Sequence, residues 1–369
     1  MTSTLMLLSK PFAGDTRVNR EALTLHKAGF KVKVLCWDRQ NEPTKSYRWM
    51  DSIDVNHVGP RCGERDLFSF LVKLPIFWLS GFVHGLQSAT DIVHAHDFDT
   101  LPLAVLLSKI KGSGLIYDAH ESYADMISDD APSFLVSFVR RFERFLMRSV
   151  DAVITSNQKV SERIRAEKAT VVMNCPSASE FQRLEHQSKY DTRTLRFGYF
   201  GSLEPGRFLI EAMDAISDSA NWKLVIGGDG TLRNDVRNKT AVSDRIEYLG
   251  TLSHVDALHE SSKCTVLLVM FDPSNYNNLI GAPNRLFEAL FLGVPPLVTE
   301  GTLAGDIVLK EDCGFVCKYS KEDFESLLVA LAQDPQKIML KGKNGMNAFE
   351  REYNWEKQSE RLVEVYRAI

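Results

Sequence analysis

Residues Thr265–Thr299 read TVLLVMFDPSNYNNLIGAPNRLFEALFLGVPPLVT. TVLLVMF is a continuous β-rich apolar run, the pattern of a strand buried on both faces of a parallel sheet. DPSNYNNLIGA is polar and turn-forming, too irregular for either period, and reads as a loop at the strand's carboxyl end. PNRLFEALFLG places Pro283 where a first helical turn tolerates it, an apolar face on Leu286, Phe287 and Leu290, and Gly293 as the stop. PPLVT opens the next strand. A strand–loop–helix unit of this kind presents unpaired N–H groups and a positive dipole end to an anion. Glu288, one turn in, reaches a neutral hydroxyl pair such as a ribose. On pattern alone the same stretch is equally one more βα unit of any sheet.

The words are more specific than the pattern. PNRLFEALFLGVPPLV resembles the P-N-K-x-F-E-x-x-x-x-G-x-P-V signature of family 4 (group 1) glycosyltransferases, retaining nucleotide-sugar enzymes with the GT-B fold. The resemblance implies donor contacts from Asn284, Arg285 and Glu288. Many members carry a second glutamate eight positions earlier, where this chain has Ile280. Asn277, Asn278 and Gly281 stand in that loop instead, with amides suited to sugar hydroxyls.

At 369 residues the chain has room for two domains with separate cores. A net charge of -4 argues against bulk nucleic-acid binding, since no basic excess exists to displace counterions from phosphates. The six cysteines are scattered, and only Cys313 and Cys317 are close, without a second pair or a histidine. That spacing speaks against structural zinc and fits a reducing compartment. MTSTLMLLSKPFAG has no basic leader and reads as a first strand, so a cytoplasmic location is expected.

The first half opens as βαβ without G-x-G-x-x-G, which disfavours a dinucleotide dehydrogenase. Its first loop offers Gly14, Asp15 and Arg17; Asp15 also reads as a helix N-cap. By resemblance, through D-x-R-V-x-x-E-A, this loop faces the donor phosphates, with Gly14 for close approach and Arg17 for ligand charge. DIVHAHDFDT and GLIYDAHES are strands ending in His94, His96, Asp97, His120 and Glu121. Metal ligands are one reading of that cluster; polar ligands for a sugar, with a base or electrostatic partner, are the other. D-I-V-H-A-H-D and Y-D-A-H-E resemble strand ends of family 4 enzymes, where the histidine of the second motif lies at the reacting centre. That maps onto His120, with Asp97 on the acceptor side and no metal.

Two stretches are amphipathic. LFSFLVKLPIFWLSGFVHGL, 67–86, is the most apolar in the chain, interrupted by Lys73, Pro75, Gly81 and His84. A core or interdomain helix is the first reading. A surface that meets lipid through Phe68, Phe70, Phe77 and Trp78 is the second. FLVSFVRRFERFLMR, 134–148, interleaves four arginines with four phenylalanines, which suits either an anionic bilayer or an ordinary solvated face.

Residues 179–194 read as a linker, and LRFGYFGSL opens a second βα series. The family carries two cations after this strand. Here Ser202 stands at the first position and Arg207 near the second, so the missing charge falls to Arg285 or Arg17. By the same resemblance Gly201, Gly228, Thr251 and Leu252 line the donor.

The expected architecture is α/β: two Rossmann-like parallel-sheet domains facing a cleft (GT-B), 1–178 and 195–354. Residues 355–369 form a terminal helix crossing back to the first domain. The expected activity is hexosyl transfer from a UDP- or GDP-sugar to a saccharide or lipid-linked acceptor, metal-independent and without a cofactor, with peripheral contact to an anionic membrane. Two alternatives stand beside it: a nucleotide-sugar epimerase of the same fold, and a non-catalytic transferase-like partner subunit.

Overall fold

The computed structural model describes residues 2–37, 39, 46–62, 67–128, 131–181, 195–219 and 221–369. Residues 182–194 of the expected linker lie outside the described residues. The chain divides into two units, Met1–Asn174 with Gln358–Ile369, and Cys175–Lys357.

The first unit runs β1 (Ser3–Leu8), α1 (Thr16–Lys27), β2 (Lys31–Cys36), β3 (Ser46–Trp49), β4 (Ile53–His57), α2 (Leu67–Leu86), β5 (Ile92–His96), α3 (Leu101–Lys111), β6 (Gly114–Ala119), α4 (Tyr123–Met126), α5 (Ser133–Leu146), β7 (Ala152–Thr155), α6 (Gln158–Ile164) and β8 (Thr170–Val171). Its sheet has the order β3-β4-β2-β1-β5-β6-β7-β8, parallel except for the β3–β4 hairpin. Strands β1 and β5 are buried along their length because helices cover both faces; β1 reads as an apolar run, while β5 buries His94 and His96 among its apolar residues.

The second unit runs β9 (Leu195–Phe200), α7 (Leu209–Ser217), β10 (Trp222–Gly227), α8 (Arg233–Val242), β11 (Ile246–Tyr248), α9 (His254–Ser262), β12 (Val266–Val269), α10 (Tyr276–Ile280), α11 (Asn284–Leu292), β13 (Pro296–Thr299), α12 (Leu303–Glu311), β14 (Phe315–Cys317), α13 (Lys321–Gln333) and α14 (Pro335–Arg351). The sheet is parallel throughout, in the order β11-β10-β9-β12-β13-β14. Phe197, Trp222, Phe208 and Phe324 fill its core, and the buried Trp222 indole donates to Leu328 O at 3.0 Å.

The last helix, α15 (Trp355–Arg367), contributes its residues from Gln358 onward to the first unit. There Gln358 Oε1 accepts the Met173 N–H, and the buried Tyr366 hydroxyl lies 2.8 Å from His94 Nδ1.

Two local readings change. The stretch read as loop between β12 and α11 contains the short helix α10, started by the Asn275 side chain accepting the Asn277 N–H. Five residues are too few to show a helical period. The reading of 67–86 as a core helix also fails. One face of α2 packs, with Phe77 stacked on Trp37 at 5.1 Å, but Leu71, Val72, Ile76, Leu79, Val83 and Leu86 are exposed.

Candidate functional site

In open parallel sheets, ligands gather outside the carboxyl ends of the strands where the order reverses. Each unit has one such point, between β1 and β5 in the first and between β9 and β12 in the second.

In the second unit, Gly201 follows β9 with φ +148°, and an added Cβ there would lie 1.8 Å from Arg285 Nη2. Gly228 follows β10 with φ +141°, and a Cβ there would lie 1.8 Å from Gly201 O. Only glycine permits backbone, loop and guanidinium to meet this closely. Arg285, in the first turn of α11, lays its guanidinium over the Tyr199 ring, 4.6 Å from the centroid. Arg207 lies over Phe271 at 4.2 Å. The two cations repel: burial first, and Arg285's charge in addition, hold Arg207 below its ordinary value. Buried Arg207 Nε and Arg285 Nη1 have no hydrogen-bond partner, and among the described residues neither arginine forms an ion pair. Two adjacent guanidinium groups with unspent donors constitute a site for an anion of more than one charge. The α11 N-terminus adds to it, since Pro283 supplies no side-chain cap.

Glu288 follows one turn later, and its Oε1 lies 3.0 Å from His254 Nε2. His254, first residue of α9 after the Ser253 cap, is a neighbour that the sequence reading did not single out. Leu252 covers Gly227, and Thr251 is exposed beside it. Asn284 is exposed at the head of α11, whereas Asn278 already donates to Asp272 O at 2.8 Å. The backbone N–H of Gly281 is spent on Asn277 O at 2.9 Å, which removes it as a donor to a ligand.

In the first unit, Asp97, a non-glycine residue at φ 63°, sits at the end of β5. Its Oδ1 accepts the His120 backbone N–H at 3.1 Å, and its Oδ2 lies 3.4 Å from His120 Nδ1. On the other side of the ring, His120 Nε2 lies 3.1 Å from Asp118 Oδ2. Burial opposes a charge on His120, but Asp97 and Asp118 outweigh it and raise its pKa. Gly14 stands at this rim, where an added Cβ would meet nothing within 4 Å. Asp15 is the N-cap of α1 and also pairs with Lys10 at 2.8 Å; against burial, Lys10 and His120 lower its pKa to about 2.

Arg17 is corrected. It is buried, donating to both oxygens of Asp118 (3.1 and 2.8 Å) and to Val172 O (2.6 Å), with Glu21 3.0 Å from Nε. A guanidinium spent in this way has nothing to offer a diphosphate. Glu21, His94, His96 and Asp118 bring donor atoms within 4.8 Å of one another, the spacing of a metal site. The Arg17 guanidinium already supplies the positive charge against its two carboxyl groups.

Residues 13–174 match the family described as glycosyl transferase 4-like domain, and residues 194–334 match glycosyl transferases group 1. The chain belongs to the group 1, family 4 glycosyltransferases. No curated protein matches it by sequence. Solved structures show the GT-B fold over its full length. Sucrose-phosphate synthase from Thermosynechococcus elongatus is 13% identical, with a TM-score of 0.74 over 100% of this chain and 99% of that one. Anabaena HepE in complex with UDP is 14% identical at TM-score 0.69, covering 100% of both chains. The lipopolysaccharide outer core galactosyltransferase WaaB is 13% identical at TM-score 0.71, again over 100% of both. For a glycosyltransferase of this group, the paired arginines of the second unit and the Asp97–His120 cluster of the first are the two candidate chemical centres.

Proposed function

We propose that this glycosyltransferase moves a hexosyl group, with retention of configuration, from a UDP- or GDP-sugar to a hydroxyl of a saccharide or lipid-linked acceptor. The observation that carries the donor reading is the Arg207–Arg285 pair, two guanidinium groups with unspent N–H donors and no carboxylate within ion-pair distance among the described residues. As the bond to the anomeric carbon breaks, its electron pair leaves with the diphosphate. The two arginines and the α11 N-terminus would neutralise that charge in place of a metal ion. Glu288, held by His254, suits the ribose hydroxyls. Asp97 and His120 would serve the sugar and the acceptor hydroxyl. HepE was solved with UDP and with UDP-glucose, so a uridine donor is the first to test.

The test is thermal stabilisation by a panel of UDP- and GDP-sugars in wild type, Arg207→Ala and Glu288→Ala. A ligand bound only by the folded state raises the melting temperature. One nucleotide class should shift the wild type and lose that shift in both variants. No shift with any nucleotide, in folded wild type, would defeat the donor reading.

A cytoplasmic protein in peripheral contact with an anionic membrane is the second part of the proposal, and it favours the lipid-linked acceptor. What supports it is the exposed stripe of α2, together with exposed Leu106 and Ile110 of α3 and Phe134, Phe138 and Phe145 of α5. The three helices carry Lys73, Lys109, Lys111, Arg140, Arg141 and Arg144 and one acidic residue, Glu143, which is buried against the Tyr117 hydroxyl. Helices that combine exposed apolar side chains with cations and carry no exposed carboxylate of their own fit an anionic bilayer, although Arg140 is paired with Asp125. By length and composition α2 could cross a membrane, but Gly81 and Gly85 seat it on Leu103 and Leu107 of α3. Co-sedimentation with phosphatidylglycerol vesicles, weakened by salt and by Phe138→Ser with Phe145→Ser, is the expected result. Equal indifference to anionic and neutral vesicles would refute it.

A further inference from the structure

Asp118 and His120 share one face because strand side chains alternate. The His120 ring therefore sits between two carboxylates, Asp97 Oδ2 at 3.4 Å from Nδ1 and Asp118 Oδ2 at 3.1 Å from Nε2. The two carboxylates differ in how they are held. Asp97 is part-exposed at the rim, near Lys10 at 3.9 Å. Asp118 is fully buried and gripped by Arg17 through two N–H groups, while a third N–H of Arg17 is pinned on Val172 O. Arg17 thus ties α1, β6 and the segment after β8 into one rigid mount. His96 Nδ1, 3.2 Å from His120 Nε2 and 3.4 Å from Asp118 Oδ2, completes the ring's inner surroundings.

We infer that Asp118, clamped by Arg17, is the positioning residue of His120: it fixes the imidazole from behind with a proton on Nε2, so that a second ring proton is presented to Asp97 at the rim. The inference rests on the reading of His120 as a residue of the reacting centre. It makes His120 a fixed cation that orients the Asp97 carboxylate rather than a free base. The geometry has the form by which a buried acid orients a working imidazole. The other groups facing the ring do not reverse this. His96 is held below its ordinary value, burial outweighing Asp118; Arg17 opposes the charge on His120, but Asp97 and Asp118 outweigh it. Lys10 and Asp15 pair with each other, and Glu121 is pushed towards its neutral form by burial and by Asp97.

The decisive experiment is a pH titration of histidine-labelled protein by nitrogen-15 NMR, with His120 assigned through His120→Gln. In the wild type, the His120 midpoint should lie above the ordinary value of 6.5, with both ring nitrogens protonated below that midpoint. In Asp118→Asn the midpoint should fall by about one pH unit or more, as expected when one adjacent opposite charge is removed. Glu21 stands 3.0 Å from Arg17 Nε to pair with it in that variant, which keeps the fold. A purely structural Asp118 would lower the melting temperature without moving the midpoint. A wild-type midpoint at or below 6.5, or an unchanged midpoint in Asp118→Asn, would overturn the inference. Nucleotide stabilisation depends on the second unit and is read separately. A normal His120 titration with intact donor binding defeats only this inference, and absent donor binding with the expected titration defeats only the transferase site.

Discussion

Substituting Glu21 by glutamine should stabilise the protein, and increasingly so as the pH rises. Glu21 and Asp118 are both fully buried and share one guanidinium, that of Arg17. Asp118 takes two of its N–H groups at 2.8 and 3.1 Å and keeps its charge; against burial, Arg17 and His120 hold it well below the ordinary range. Glu21 is left as the neutral partner: burial first, and then the Asp118 charge, raise its pKa well above the ordinary 4.5. Above that value the unfolded chain gives up the Glu21 proton while the folded chain keeps it. Unfolding then releases a proton, and rising pH favours unfolding. The slope is about 1.4 kcal/mol per pH unit until the folded carboxyl ionises. Each pH unit of that window amounts to about 1.4 kcal/mol, or roughly 3–6 °C in Tm for a unit of this size. Glutamine keeps a donor for Asp118 and an acceptor for Arg17 but ionises in neither state, so it escapes the loss. Urea unfolding of wild type and Glu21→Gln at pH 4.5, 5.5 and 6.5 (~1-unit steps bracketing the slope) measures it. A difference that is flat with pH, or that turns against glutamine, would falsify the assignment of the proton to Glu21. The double variant Glu21→Gln with Asp118→Asn leaves Arg17 buried without any anion and should cost about 3–5 kcal/mol, far from the sum of the singles.

Arg207→Ala and Arg285→Ala should each weaken a nucleoside diphosphate by about 10- to 150-fold, the range of charge-assisted hydrogen bonds, measured by calorimetry. Gly228→Ala should lose more than about 3 kcal/mol or fail to fold, because its Cβ would lie 1.8 Å from Gly201 O at a φ of +141°. Gly14→Ala, with nothing within 4 Å of the new methyl, should stay within about 0.5 kcal/mol of wild type in urea unfolding. Cys264 and Cys313, both pushed up to about 12 chiefly by burial, should resist thiol reagents at pH 8 (about four units below that value) until the protein is unfolded.

Much of the fold was legible because buried parallel strands and their helices write themselves as local pattern. TLMLLS and TVLLV read as near-continuous apolar runs because both sheet faces are covered, and IVHAH of β5 is buried just as fully although two of its residues are histidines. The β3–β4 hairpin went unread, since its four- and five-residue strands are half-exposed and lie beside residues without a clear period. The exposed face of α2 was misjudged for a related reason. Hydropathy reports that a helix prefers to leave water, not which neighbour covers it.

Within the candidate sites, sequence placed Gly201, Arg207, Gly228, Arg285 and Glu288 at strand ends and helix starts. Those are local facts of a βα unit. It also placed Asp97 and His120 at neighbouring strand ends. What it gave no means to decide was where long side chains turn. Arg17 and Arg285 look alike as arginines at the start of helices, yet one is spent inside on Asp118 and the other lies open over Tyr199. Nor did Glu21 and Asp118, though they stand in D-x-R-V-x-x-E-A and Y-D-A-H-E, reveal that they share one guanidinium: one carboxyl lies on a helix and one in a strand, brought together across 97 residues by the β1–β5–β6 order. Strand, loop and helix, and with them the family, follow from hydrophobic period and short words, which depend on near neighbours. Charge state and partner choice depend on burial and on distances between remote segments, and those exist only once the sheet has formed.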